Sequence, residues 1–334
     1  MIYREKAYPR AALIGNPSDG YFGKTIAFVF RNYCAEVTLY ESPKFEILPS
    51  VLDYNTYTDM ANLADSIEQF GYYGGIRLLK ACVKIFYSYC VSHDIHVADR
   101  NCTLQYQTNI PNRLGLAGSS AIITATMRNL MRFYEVEIPN EILANLVLSV
   151  EQDELGIKAG LQDRVAQVYH VPIYMNFDRE HMERYGYGIY EPIEIPENLP
   201  LFVAFRTDLA EGSEILHSRL HMDYEEGKPA VLDAIREWAH LTDQVRDCLS
   251  RHDYAPLHDL LNRNFDLRCE VCSSSISPKN RNMVNLARKH GAAAKFTGSG
   301  GAIIGLYQED SFEAMKAEMQ KHKIVVVKPD IIRS

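Results

Sequence analysis

Two rhythms of apolar and polar residues run along the chain, and they predict its elements. Ala11 to Ile14 is an unbroken apolar run that predicts a short buried strand, and it ends in Gly15-Asn-Pro-Ser-Asp-Gly20, a dense cluster of turn formers. Strand character returns over 25–40. From 59 to 92 the apolar residues fall at helical spacing, Leu63, Ile67 and Phe70 in one group and Ile76, Leu79, Val83 and Phe86 in another. Gly71 and Gly74-Gly75 interrupt them, which predicts a pair of helices. Alternation over 103–108 predicts a half-exposed strand, and 109–118 reads as a loop. Helices are expected over 119–134 and 139–155, the second with Ile142, Leu143, Leu146 and Val150 on one face and Gly156 at its end. The later pattern predicts a strand at 201–205 and helices at 229–250, 253–264 and 278–290. A strand at 293–296, a strand at 302–307, a helix at 311–322 and a strand at 324–327 complete it. The proline- and acid-rich stretch 191–200 is the candidate junction between two domains, 1–195 and 196–334.

Composition narrows the class. Of 334 residues, 47% are hydrophobic and 23% charged, the balance of a folded globular chain rather than a disordered or fibrous one. Acids outnumber bases by 43 to 35, a formal net charge of −8, which argues against a nucleic-acid partner. An anionic small substrate would need locally placed cations and backbone amides. Met1 to Arg10 carries charges and two tyrosines rather than an apolar leader, and no stretch approaches 18 uninterrupted apolar residues, so no membrane span is expected. The seven cysteines are odd in number and scattered, as expected for reduced thiols in a cytoplasmic protein. Cys269 and Cys272 are the one close pair, and zinc would require a second pair or histidines at ligand spacing.

Three constellations could carry chemistry. The segment Pro111-Asn-Arg-Leu-Gly-Leu-Ala-Gly-Ser-Ser-Ala121 delivers two hydroxyls through a glycine-broken loop to the start of a helix, a place suited to phosphate. It also fits an ordinary loop with Ser119 as helix cap. Glu151 and Asp163 border the glycine-containing loop Leu155 to Gln162; one could hold magnesium and the other accept a hydroxyl proton, although two surface acids fit as well. Thr297-Gly-Ser-Gly-Gly301 places bare backbone between two apolar runs, where another group could approach closely or a plain turn could form. Ser18 to Thr25 differs from a P-loop only at its first glycine, but Lys24-Thr25 leads into Ile26 to Phe30, which favours a strand over the helix a P-loop requires.

Taken in this order, the segments resemble the GHMP superfamily of small-molecule kinases. Arg10 to Asp19 looks like its amino-terminal substrate motif, Pro111 to Ala121 like its ATP loop, and Lys295 to Gly301 like its carboxy-terminal glycine motif. Within it, Gly15 to Tyr21, Gly115 to Ala121, Leu155 to Gln167 and Lys295 to Ala302 resemble the glucuronokinases. The ATP loop has one residue more before its serine pair than the commonest spelling, P-x-x-x-G-L-G-S-S-A, and Asn16 stands where galactokinases carry an acid.

The resemblance implies an α+β fold, with an S5-like amino-terminal domain and a ferredoxin-like carboxy-terminal domain. It implies ATP and magnesium, with Asp163 as catalytic base and Arg10 beside it. Pro111, Gly115, Leu116, Ala117, Gly118, Ser119, Ser120 and Ala121 would surround ATP, and Ser120 and Glu151 would hold the metal. Arg10, Asn16, Asp19, Tyr21, Asp163, Gly298 and Gly300 would contact the substrate. The implied reaction is phosphorylation of the anomeric hydroxyl of D-glucuronate to D-glucuronate 1-phosphate. Alternatives are a kinase for another sugar or sugar phosphate such as a heptose, and a binding or regulatory protein that kept the fold. A serine hydrolase is disfavoured because the loop lacks the G-x-S-x-G elbow. Arg113, Arg164, Arg219 and Lys295 are the candidates for pairing with a uronate carboxylate.

Overall fold

A computed structural model describes residues 1–333 apart from 51–52, 54–57, 61–62, 64–73, 113 and 208–213, with 214–219 and 274 described by backbone only. In chain order the elements are β1 (Ile2–Ala7), β2 (Arg10–Ile14), β3 (Lys24–Val29), β4 (Ala35–Glu41), β5 (Glu46–Ile47), α1 (Gly75–Ser92), β6 (Cys102–Thr108), α2 (Gly118–Tyr134) and α3 (Asn140–Ser149). After a π-helical turn at Val150–Glu154 come α4 (Leu161–Tyr169), β7 (Ile173–Asn176), α5 (Arg179–Tyr185), β8 (Ile189–Pro192), β9 (Leu201–Arg206) and α6 (Glu214–Glu225). The chain continues through α7 (Pro229–Ser250), α8 (Leu257–Cys272), α9 (Pro278–Lys289), β10 (Ala293–Phe296), β11 (Ala302–Leu306), α10 (Phe312–Lys321) and β12 (Ile324–Val327).

The chain divides into two compact units. The first comprises 1–9, 33–110 and 117–159, and the second 10–32, 111–116 and 160–334. In the first, a sheet of order β1-β4-β6-β5 buries Val37, Leu39, Leu104 and Tyr106. Ile123, Met127, Leu130 and Phe133 of α2 are buried too, and Asn129, fully buried in the same helix, donates its amide to the Val37 carbonyl at 2.7 Å. The second unit holds two antiparallel sheets. One is β2-β3-β7-β8; the other runs β12-β9-β11-β10, the order of a ferredoxin-like β-α-β-β-α-β arrangement, covered by a core of Phe265, Met283, Met315 and Met319.

The apolar rhythm is mostly realised, with physical reasons where it is not. The predicted strand over 25–40 is two strands, because Arg31 to Tyr33 make a turn between β3 and β4. The helix predicted to 155 ends as α3 at Ser149 and widens into the π turn; that predicted over 253–264 starts after Pro256 and runs on to Cys272. The first of the two helices expected within 59–92 lies mostly outside the described residues, apart from its start, where the Leu63 N–H donates to the Asp59 carbonyl at 3.2 Å. Lys24 opens a strand, not a helix, and its ammonium meets Asp243 at 2.6 Å, so Ser18 to Thr25 is no P-loop. Cys269 and Cys272 lie on one helix with no disulfide, and no group of three metal-ligating side chains occurs among the described residues. No helix among the described residues is long and apolar enough to cross a membrane.

Gly305 tests this packing. A Cβ there would lie 1.8 Å from the Ala293 carbonyl oxygen and 2.7 Å from the Phe202 ring. Elsewhere alanine stabilises a strand by reducing the freedom of the unfolded chain, but here the clash dominates. Gly305→Ala is expected to lower unfolding free energy by about 2 kcal/mol or more in a urea titration; an unchanged midpoint would contradict the packing.

Candidate active site

Arg10 opens β2 as a buried side chain, and it reaches three parts of the second unit. Its Nη2 lies 2.5 Å from Asp163 Oδ1, its Nη1 donates to the Thr297 carbonyl, and its backbone N–H donates to the Leu116 carbonyl at 3.1 Å. Asp163 stands in the first turn of α4, where the helix dipole favours a negative charge. Arg164 adds a second cation 3.3 Å from Asp163 Oδ2, and itself donates to the Gly160 carbonyl. Burial raises the Asp163 acid, and Arg10 and Arg164 more than offset it, so the carboxyl is held below its usual range and stays ionised. Asp19, partly exposed on the short turn Ser18–Tyr21, responds oppositely. Burial and then the Asp163 charge push its acid up to about 6, against the pull of Arg10.

Beneath this pair lies a buried latch. Thr297 Oγ1 accepts the Ala12 N–H at 2.8 Å, and Lys295 Nζ donates to the Ala12 carbonyl and to Asn16 Oδ1. The Asn16 amide donates to the Phe296 carbonyl at 3.2 Å and lies 3.5 Å from that of Gly298, while Asn264 holds the Gly15 N–H and the Asn16 carbonyl. Burial, with Arg268 and Arg10 nearby, pulls the Lys295 acid well below its ordinary value. Arg268, 2% exposed on α8, donates to the Gly298 and Ser299 carbonyls at 2.8 Å each. In a planar trans peptide the N–H points opposite the C=O. The Ser299 and Gly300 amides are therefore turned away from Arg268. The Ser299 nitrogen lies 3.5 Å from where a Cβ on Gly115 would stand, and that Cβ would also come within 2.9 Å of the Gly300 oxygen. Gly115, at φ 71°, therefore satisfies both a left-handed backbone and a close approach.

In the first unit, the hydroxyl that meets Glu151 is that of Ser119. Its Oγ donates to Glu151 Oε1 at 2.6 Å, whereas Ser120 is fully buried and donates to the Ala117 carbonyl at 3.2 Å. Glu151 is 1% exposed and sits in the π turn, which offsets it from the regular frame of α3. Ala117, the N-cap of α2, is left-handed at φ 61°, and a second left-handed residue after Gly115 accommodates the longer loop. One buried carboxylate with a hydroxyl beside it suits magnesium, which keeps waters and takes one or two carboxylates together with phosphate oxygens. It does not suit a metal that needs a full protein cage.

Of the anticipated residues, Arg10, Asn16, Asp19, Tyr21, Asp163, Gly298 and Gly300 fall in the second unit, as do Pro111, Gly115 and Leu116; Ala117 to Ala121 and Glu151 fall in the first. Asn16 is 3% exposed and spends both ends of its amide on the latch rather than facing outward. Tyr21 is buried, its ring 4.9 Å from that of Tyr224. Among the uronate-pairing candidates, Arg164 and Lys295 are buried and engaged by protein groups, and Arg113 and the side chain of Arg219 lie outside the described residues. Sequence reasoning missed Arg268 and Asn264. A signal existed for Arg268, which stands inside the apolar stripe Leu257, Leu261, Phe265 and Cys272, where a cation is out of place unless it has buried acceptors.

Comparison with known proteins finds two family models in the chain. The GHMP kinases N terminal domain matches residues 77–170 and the GHMP kinases C terminal domain matches 245–324. Probable glucuronokinase 2 of Arabidopsis thaliana is 40% identical over 332 residues, 97% of this chain and 90% of its own length. Glucuronokinase 1 of the same plant is 40% identical over 303 residues, 90% of this chain and 83% of its own length. In fold, the chain is similar to the Lin0012 protein of Listeria innocua, with a TM-score of 0.79 at 16% identity, covering 100% of this chain and 98% of that one.

The latch makes a prediction. Arg268→Met removes the donor from two inward carbonyls, so exchange of the Thr297 amide, which donates to the Ala302 carbonyl at 3.2 Å at the base of the loop, is expected to accelerate by about tenfold or more, while β9 keeps its protection. Unchanged exchange at this amide would show that Arg268 does not hold the loop.

Proposed function

The chain belongs to the GHMP kinases, and from that premise we propose that it is an ATP-dependent sugar kinase that phosphorylates the anomeric hydroxyl of D-glucuronate, giving D-glucuronate 1-phosphate and ADP. The observation that carries the reading is the Arg10–Asp163 pair, a carboxylate kept ionised at 2.5 Å from a buried guanidinium. Asp163 accepts the proton of the acceptor hydroxyl as the γ-phosphoryl group transfers, and the anomeric hydroxyl, the most acidic of a sugar's alcohols, suits a single aspartate base. Arg10 orients Asp163 and offsets charge as the phosphoryl group moves.

The Ser299 backbone N–H, turned away from Arg268, lies beside Gly115, which supports phosphate binding at the glycine-rich loops. Glu151 would hold magnesium with Ser119 as the adjacent hydroxyl, whereas Ser120 is fully buried and would offer a lone pair only to an ion that reached it there. The ion supplies charge neutralisation across the phosphates. The preference for a uronate draws support from the 40% identity to the two Arabidopsis glucuronokinases. Electrostatics adds a condition: Asp19 and Asp163 both act near the acceptor, so repulsion is least when C1 faces them and the C6 carboxylate lies across the ring.

The test is ADP release against a panel of free sugars and uronic acids. Glucuronate should exceed glucose in kcat/KM by about tenfold or more, the scale of one well-used polar contact; equal efficiency would sink the uronate reading. Asp163→Asn should lower kcat by about 10²-fold or more with the KM for ATP little changed, and turnover within a few-fold of wild type would remove Asp163 as base. Glu151→Gln and Ser119→Ala should both raise the magnesium concentration for half-maximal rate, Ser120→Ala less so. A shift in Ser120→Ala alone would overturn the pairing of Ser119 with Glu151.

A further inference from the structure

Gly160 is the N-cap of α4, and its backbone is extended, at φ −121° and ψ 160°, a conformation open to any residue. The reason for glycine is therefore space. A Cβ at 160 would lie 2.6 Å from Asp19 Oδ2 and 3.8 Å from Asp19 Cγ, and it would meet nothing else within 4 Å among the described residues. The Asp19 carboxylate thus rests against the start of the helix whose first turn carries Asp163. No ion pair or side-chain hydrogen bond holds that carboxylate among the described residues, although Asp163, Arg10 and Arg164 all act on its charge. An acid brought next to another acid without a fixed partner of its own stabilises nothing in the fold. Its position makes sense for a group that completes its hydrogen bonds on a ligand.

We infer that Gly160 is a specificity-determining position, whose missing side chain leaves the space in which the Asp19 carboxylate stands beside Asp163, so that one acceptor molecule offers a hydroxyl to each. The inference rests on the reading of Asp163 as the base and Asp19 as an acceptor contact, and it adds Gly160 as the position whose lack of a side chain lets Asp19 take a second hydroxyl of the acceptor while the first is phosphorylated. The atom that a new Cβ would displace is the end of a side chain with two free torsions. Alanine at 160 therefore moves the carboxylate without moving the backbone. Its cost falls on acceptor binding rather than on folding or on ATP.

The experiment is a double-mutant cycle on the full chain, with Gly160→Ala, Asp19→Ala and the double variant, followed by acceptor KM, ATP KM, kcat and thermal midpoint. Gly160→Ala should raise the KM for glucuronate by about tenfold, the scale of a hydrogen bond to a charged group. The ATP KM should stay within about twofold and the midpoint within about 2 °C. In the Asp19→Ala background the same change should leave acceptor KM where Asp19→Ala alone puts it. An equal penalty in both backgrounds would mean that Gly160 serves the helix start and not Asp19, and the inference would fall. A wild-type KM in Gly160→Ala would also overturn it. Gly160→Ser, with the same Cβ and a favoured N-cap side chain, should repeat the result; loss of folding in both variants would refute the claim that displacing Asp19 is structurally cheap. The kinase reading is judged separately by Asp163→Asn, and an Asp19→Ala variant with unchanged acceptor KM would remove Asp19 from the site while leaving that reading intact.

Discussion

A guanidinium and a carboxylate taken out of water must satisfy each other, and the second unit is arranged around that demand. Arg10 is 3% exposed and Asp163 19%, so neither has enough solvent to carry its charge alone. Losing one partner of such a pair costs about 3–5 kcal/mol, because it strands the other. The pair is held from several sides: β2 delivers Arg10, the first turn of α4 delivers Asp163, Arg164 braces the far carboxylate oxygen, and the Thr297 carbonyl takes a further guanidinium donor. A carboxylate fixed in this way keeps one orientation and one protonation state, the two properties a base for phosphoryl transfer requires.

The same neighbourhood resolves an apparent conflict of charge. The chain is net acidic by 8 charges, a poor field for nucleotide phosphates. Yet Arg10 and Arg268 are buried close to Lys295, whose own charge burial disfavours, and the three direct most of their donors to backbone carbonyls rather than to acids. Among the described residues, Asp163 pairs with Arg10 and neutralises part of that charge directly. The carbonyls of Gly298 and Ser299 are drawn toward Arg268, so the N–H ends of those peptides point away from it. A buried cation thus sets the orientation of the backbone around it.

The parts of this arrangement legible in the sequence are those set by local pattern. Apolar runs marked β2, β9, β10, β11 and β12, helical spacing marked α2, α7 and α10, and the glycine-rich loops stood out by composition. β1 escaped because its outward residues are Arg4 and Lys6, and its inward Glu5 is matched by Arg132 rather than by an apolar neighbour. The choice between Ser119 and Ser120 was beyond reach, since adjacent helical residues point about 100° apart and only the placement of Glu151 decides which hydroxyl it meets. Asn16 and Gly160 depend on partners roughly 280 and 140 residues away in sequence, Lys295 and Asp19 respectively, and no local pattern encodes a contact of that separation. Arg268 lay between these cases: its place in an apolar stripe was visible, its two acceptors were not.

The claim that Arg10 keeps Asp163 ionised can be measured without reference to turnover. Carbon-13 labelling of aspartate carboxyls, with the Asp163 resonance assigned by its loss in Asp163→Asn, gives the titration midpoint of that one group by NMR. In the wild type the midpoint should lie below the usual carboxylate range. In Arg10→Met the cation's attraction and hydrogen bond are gone while burial remains, so the midpoint should move to higher pH. An Asp163 midpoint that is the same in both proteins would contradict the account at its centre.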